Sequence, residues 1–284
     1  MSQQQDEMSF WDHLEELRWT LFRSILALVI LAIGFFAFMR GDDGIFHNII
    51  LAPTRGDFVT YRLFCSVASS FSFLTEFCDT AFNIEIINIK LATQFFMHMT
   101  TSFWLAVVLA CPYLMFEVWR FVRPALYENE KKNVQWVFVF GTGMFFIGCA
   151  VGYYVVFPMT LRFLATHQLS VEINEQVSLD SYMDNFLMMI FIMGVVFEMP
   201  LLSWLLSKLG LLHRGFFNRY RRHAVVALLI VAALITPSGD PFTLSLVFIP
   251  LYALYELSAF FVRPAPREEA DDRVFDVAGV YPNR

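Results

Sequence analysis

A glutamate, Glu198, stands within the apolar run GVVFEMPLL, and Pro200 follows two residues later. An ionised side chain at the centre of a hydrocarbon layer is costly, so this carboxyl must be hydrogen-bonded between helices, face a wet cavity or meet a partner helix. The nearby proline weakens the helix at the same point, which suits a polar concavity better than smooth packing. A second group of chemistry-bearing residues is the segment EVWRFVRPALYENEKK at 117–132. It mixes Trp119, Phe121 and Tyr127 with Arg120, Arg123, Glu128 and Glu130. An aromatic and basic belt at headgroup depth explains most of it, but two carboxylates fit that explanation less well. His13, Glu15, Glu16 and Arg18 precede the first apolar run, as in an amphipathic helix on a membrane surface. Bond-making chemistry has no support: HExxH, GxSxG and Walker A patterns are absent, and the six histidines (13, 47, 98, 167, 213, 223) are scattered. The chain is therefore expected to be no enzyme, with no metal site and no cofactor.

The elements that hold these residues are set by composition. Of 284 residues, 57% are apolar and 16% charged, and Phe alone supplies 33. The mean hydropathy of +0.56 and the long apolar blocks exclude an ordinary soluble domain. A net charge of −6 offers no basic field for nucleic acid. Four cysteines without a CxxC do not make a disulfide scaffold or a structural zinc site. Cys111 and Cys149 fall inside apolar runs as packing residues. The reading is an all-α polytopic membrane protein with six transmembrane helices at about 21–40, 93–118, 134–157, 185–207, 223–236 and 242–262. The fifth is short for a bilayer and forms a tight hairpin with the sixth. These spans make one membrane domain over 1–263, followed by a Pro-rich, charged tail at 264–284 expected to be a disordered cytoplasmic end.

An even number of spans puts both termini on one side. With the N-terminus inside, 15 of the 20 Lys and Arg residues fall in inner segments, which predicts an N-in, C-in orientation in a cytoplasmic membrane. The loop at 41–90 then lies outside, long enough to fold as a cap. Cys65 and Cys78 both lie in it, on an oxidising face where they are placed to pair. Asp240, between Pro237 and Pro241, sits in the outer turn before the last span, where turn chemistry alone could explain it. Glu256, near the inner end of that span, reads as a structural charge that snorkels or pairs.

The motifs in their order resemble the TatC family, the multispan core of the twin-arginine protein translocase. They are HLEELR before the first span, LAP at 51–53, FEVWRFVRPALYENEKK, FPM at 157–159, GVVFEMP, ITPSGDPFT and IPLYALYELSAFF, covering about residues 10–263. The resemblance implies a cup-shaped, six-helix receptor whose cytoplasmic face recognises two consecutive arginines in the signal peptides of folded export substrates. It implies that Glu130 contacts the arginine pair, that Glu16 and Arg18 complete the patch, and that Phe121 and Pro124 shape the same loop. A carboxylate can take a guanidinium through two parallel hydrogen bonds, whereas lysine offers a point charge, so such a site would favour arginine. By the same resemblance Glu198 is a membrane-embedded glutamate on the concave side, Pro53 belongs to the outer cap and Asp240 to the last outer turn.

Three departures from the family pattern stand out. The turn reads TPSGD, one residue longer than TPPD; Leu244 stands where many members have Gln; and RWTL replaces a basic RKRL run after the first motif. The implied partners are twin-arginine signal peptides, single-span proteins of the TatA and TatB type, the lipid bilayer and further copies of the chain, with transport drawing on the proton-motive force. From the residues alone, the competing function is a proton-coupled secondary transporter using Glu198, which the intramembrane carboxylate favours and the absence of a visible repeat disfavours.

Overall fold

The computed structural model describes residues 10–39, 44–68, 84–122, 128–166, 176–208, 210–236 and 239–262; within these, the side chains of 10, 12, 13, 67, 68, 122 and 128–137 are not described. Nine α-helices account for most of the described residues: α1 Phe10–Phe38, α2 Val59–Ala68, α3 Thr93–Val122, α4 Glu128–Val151, α5 Phe157–Thr166, α6 Leu179–Val196, α7 Met199–Lys208, α8 Arg214–Ile235 and α9 Pro241–Phe261. Among the described residues the sole strand pairing is a two-residue parallel contact, β1 (Ile86–Ile87) on β2 (Val177–Ser178), in a fold that is otherwise helical.

Among the described residues, five helical stretches are long and apolar enough to cross a bilayer: Leu14–Phe38, Thr93–Phe121, Phe138–Thr166, Leu179–Lys208 and Pro241–Phe261. The helix α8 is equally long at 22 residues but carries Arg214, Arg219, Arg221 and Arg222 in its first half. Helices run past the apolar blocks at several ends. The polar segment before the first span is one continuous helix with it, since neither Gly nor Pro interrupts the chain between Phe10 and Ile33. Likewise α3 continues through Glu117 and Trp119 to Val122, stopping before Arg123-Pro124, a pair whose sequence disfavours helical backbone.

The chain divides into two compact units, one ending at Phe197 and one beginning at Glu198. In the first, α1 lies against α3, and α4 crosses α6. That second crossing is close because small residues face it: a Cβ added at Gly148 would lie 2.5 Å from the Met193 carbonyl oxygen, and one at Gly152 would lie 2.9 Å from the Ile190 Cα. Cys111 and Cys149 are buried, outside any disulfide, and packed with Phe145.

The described part of the connection between α1 and α3 is pinned to the rest of the first unit by hydroxyls aimed at carbonyls that helical geometry leaves open. Pro158 has no N–H, so the carbonyl of Tyr154 four residues back lacks its α-helical partner, and a π-turn at Gly152–Val156 replaces the α-helix there. The Thr60 hydroxyl of α2 donates to that Tyr154 carbonyl. A second π-turn, Phe46–Ile50, presents the carbonyls of Ile49 and Ile50 to the hydroxyls of Tyr153, at 2.8 Å, and Tyr182, at 2.5 Å. The Tyr61 hydroxyl is shared between the carbonyls of Pro53, at 2.9 Å, and Pro158, at 3.1 Å. The LAP and FPM segments therefore meet through one buried phenol. The Arg162 guanidinium lies over the same ring, 5.0 Å from its centroid.

The second unit contains α7, α8 and α9. The first ends in a Schellman arrangement: Gly210 takes φ +76°, its N–H bonds the Ser207 carbonyl at 3.2 Å and the Leu211 N–H bonds the Leu206 carbonyl at 3.0 Å. Helices α8 and α9 pack together, with the Tyr255 hydroxyl donating to the Phe217 carbonyl at 2.8 Å. Arg221 reaches across to the Tyr252 hydroxyl at 3.1 Å and the Glu256 carboxylate at 2.5 Å, so Glu256 pairs inside the hairpin.

Candidate functional site

The helices α1 and α3 run antiparallel, and one buried ion pair fixes their register. Arg23 donates from Nε, at 3.3 Å, and from a terminal nitrogen, at 3.2 Å, to Oε2 of Glu117. The other oxygen of Glu117 accepts from the Tyr113 hydroxyl at 2.9 Å, one turn earlier on α3. The Glu117 side chain is 3% exposed and Arg23 is 32% exposed. Both carboxylate oxygens are thus used, which a charge withdrawn from solvent needs. Thr20, buried one turn below Arg23, receives a longer contact of 3.5 Å from the same guanidinium. Farther along the pair, Phe36 of α1 stacks on His98 of α3 with ring centroids 4.1 Å apart.

That register decides what lies at the helix ends. Glu16, Thr20 and Arg23 are spaced four and three residues apart on one stripe of α1, so Glu16 belongs to the face turned toward α3. It lies about 10 Å beyond the ion pair at about 1.5 Å per residue, a few Å farther than Phe121 lies on α3. On α3, Phe121 is one turn past Glu117 on the corresponding stripe. Glu16 and Phe121 are both half-buried, as facing stripes require. Arg18 stands on a different, exposed face of α1. Trp119, buried at the same end of α3, packs on Phe138 of α4 with centroids 5.4 Å apart. The backbone of Glu130 is in the first turn of α4. The Glu130 side chain and all of Pro124 lie outside the described residues.

The remaining sequence-derived positions fall elsewhere. Glu198 opens the second unit at a helix break, where Pro200 cannot donate to the carbonyl of Val196. It is 6% exposed, and neither carboxylate oxygen has a hydrogen-bond partner among the described residues. Pro53 is buried in the 3-10 turn Ala52–Thr54 under Tyr61. Burial pushes the Tyr61 phenol well above its ordinary pKa, against the opposing pull of Arg162. Asp240 caps α9: its side chain accepts from the Thr243 N–H at 2.8 Å and from the Thr243 hydroxyl, with Pro241 at the first helical position. Cys65 is disulfide-bonded, and Cys78 lies outside the described residues.

Glu117 and Arg23 are the functional-site residues that motif reading passed over. The available signal was matching depth: Arg23 and Glu117 each stand at one end of an apolar block, have opposite sign, and come to one level when the two helices run antiparallel.

Among the described residues no group of three His, Cys, Asp or Glu could hold a metal. Polar groups gather instead at the ends of long apolar helices and at one intramembrane break. The fold is that of a multi-pass helical membrane protein. A family model for the Sec-independent protein translocase protein TatC matches residues 12–250. The chain belongs to the TatC family, whose members are translocase components and not enzymes. It is 34% identical to the TatC protein of Blattabacterium sp. subsp. Periplaneta americana over 261 residues, covering 92% of this chain and 97% of that one. It is 32% identical to the TatC protein of Deinococcus radiodurans over 266 residues, covering 91% and 88% of the two chains. A solved structure described as the twin arginine translocase receptor TatC in DDM superposes with a TM-score of 0.69 at 26% identity, covering 88% of this chain and 99% of that chain.

Proposed function

We propose that this chain is the signal-peptide receptor of a twin-arginine export system, with six spans and both termini on the cytoplasmic side of the cytoplasmic membrane. It works with single-span TatA- and TatB-type partners and further copies of itself, and uses the proton-motive force to export folded proteins. The observation that supports the proposal is the Arg23–Glu117 lock, which joins the part of α1 that carries Glu16 to the part of α3 that carries Phe121. In this reading Glu130 and Glu16 receive the two signal-peptide guanidiniums, while Phe121 and Pro124 screen them from water. Such charge-assisted bonds contribute about 1.5–3 kcal/mol each when screened and much less when fully exposed. Arg18 forms the outer edge of the patch. Glu198 serves as the intramembrane polar contact for the advancing signal segment. Pro53, a Cys65–Cys78 disulfide and the Asp240 turn hold the outer side rigid.

A photo-crosslinking amino acid tests the placement. At Phe121 it should capture a twin-arginine signal peptide in native membranes, and at Val59 in the outer loop it should not. Capture at Val59 alone would move the receptor surface to the opposite side and overturn the reading.

A further inference from the structure

The first half of α8 carries four arginines, and they do not share one task. Arg221 is turned into the hairpin, bonded to Tyr252 and Glu256 of α9. Arg219 and Arg222, three residues apart, are exposed and make no ion pair among the described residues. They stand on the stripe that continues as Val226, Ile230 and Leu234, which are 58%, 57% and 72% exposed. An exposed apolar stripe of a membrane helix faces lipid tails, so the charges at its end stand at the depth of lipid headgroups. Phe216 and Tyr220 are exposed beside the arginines, with ring centroids 4.6 Å apart, as aromatic side chains are at a membrane interface.

We propose that Arg219 and Arg222 form a binding site for the phosphate of an anionic phospholipid in the leaflet at the N-terminal end of α8. Two planar guanidiniums one turn apart can each offer paired N–H donors to phosphate oxygens. The lipid-facing stripe directly beyond them receives the acyl chains of the same molecule, which a soluble anion or an acidic peptide would leave uncovered. The fixed pair between Arg221 and Glu256 holds this face of α8 outward. The proposal stands independently of signal-peptide recognition.

The test uses the full chain in nanodiscs of equal parts phosphatidylglycerol and phosphatidylcholine, released into a mass spectrometer that counts retained lipids. Each basic residue near an anionic surface is worth roughly fivefold in partition. The wild type should retain phosphatidylglycerol preferentially, and R219Q/R222Q should lower that enrichment by at least about fivefold with an unchanged thermal midpoint. R219K/R222K should keep much of the enrichment, since charge remains. K208Q removes one positive charge from α7, where Lys208 lies over the Trp204 ring, and should leave the enrichment intact. No preference in the wild type, full enrichment in R219Q/R222Q, or an equal loss in K208Q would overturn the site.

Discussion

Replacing Glu117 should loosen α1 from α3 more than any other single polar substitution in the first unit. The carboxylate is almost fully withdrawn from solvent and accepts from Arg23 and Tyr113. Breaking a buried ion pair by deleting one partner costs about 3–5 kcal/mol, because the other charge is stranded. Arg23 retains about a third of its exposure, so water recovers part of that loss and Glu117→Ala should cost about 2–3 kcal/mol. Glu117→Gln keeps an acceptor for Tyr113 and should cost about 1–1.5 kcal/mol. Replacing both partners, as in Arg23→Met with Glu117→Met, removes the stranded charge and should fall within about 1 kcal/mol of wild type. The assay is a double-mutant cycle on the purified protein unfolded in mixed micelles and followed by tryptophan fluorescence, with Trp19 and Trp119 close to the pair in sequence. The cycle should give a coupling of at least about 1 kcal/mol. Single losses that add to the double loss within about 0.5 kcal/mol would refute the claim that this pair sets the helix register.

Gly148→Ala drives a methyl group to 2.5 Å from the Met193 carbonyl oxygen and 2.8 Å from Phe197, and should cost about 1–3 kcal/mol in thermal unfolding. Gly143→Ala, with nothing within 4 Å, should be neutral or slightly stabilising; equal effects at the two sites would contradict the close crossing of α4 and α6. Asp240→Ala removes the cap of α9 and should lower stability by about 1 kcal/mol, whereas Asp240→Ser should retain most of it. The outer loop should loosen in alkali. Its Tyr61 phenol is held above the ordinary 10.0 by burial, and its Lys90 ammonium is held above the ordinary 10.5 by the hydrogen bond and charge of Asp180. Groups raised in the folded state stabilise it fully below those unfolded values and lose that contribution as pH climbs past them. Hydrogen exchange or proteolysis at Val59–Ala68 should therefore accelerate above pH 10, and faster cleavage at pH 5 than at pH 11 would sink this assignment.

Long uncharged blocks make α3 and α6 visible in sequence because a bilayer demands length and leaves little else to satisfy. The ends were harder to read. The EVWRFV segment looks like interfacial loop until the helix is seen to carry it to Val122, since charged residues are good helix formers and only Arg123-Pro124 stops the run. The break at Glu198 was legible through Pro200, a local effect. The meeting of Pro53 with Pro158 was not, because it depends on Tyr61, whose reach across the fold has no periodic signature. Asp240 carries its capping role openly in the D-P-F-T spelling. Arg23 and Glu117 were readable only as a pair, by comparing charge and depth between spans.

The proposed function requires that carboxylates near the start of α1 and in the first turn of α4 recognise two arginines. Its most direct measurement is the affinity of the purified protein for a signal peptide carrying Arg-Arg against the same peptide carrying Lys-Lys, repeated with Glu130→Gln and Glu16→Gln. The account predicts tighter binding of Arg-Arg by roughly tenfold or more, as about 1.4 kcal/mol or more of bidentate bonding requires, and loss of that preference in Glu130→Gln. Equal affinity for the two peptides, unchanged by either substitution, would contradict it.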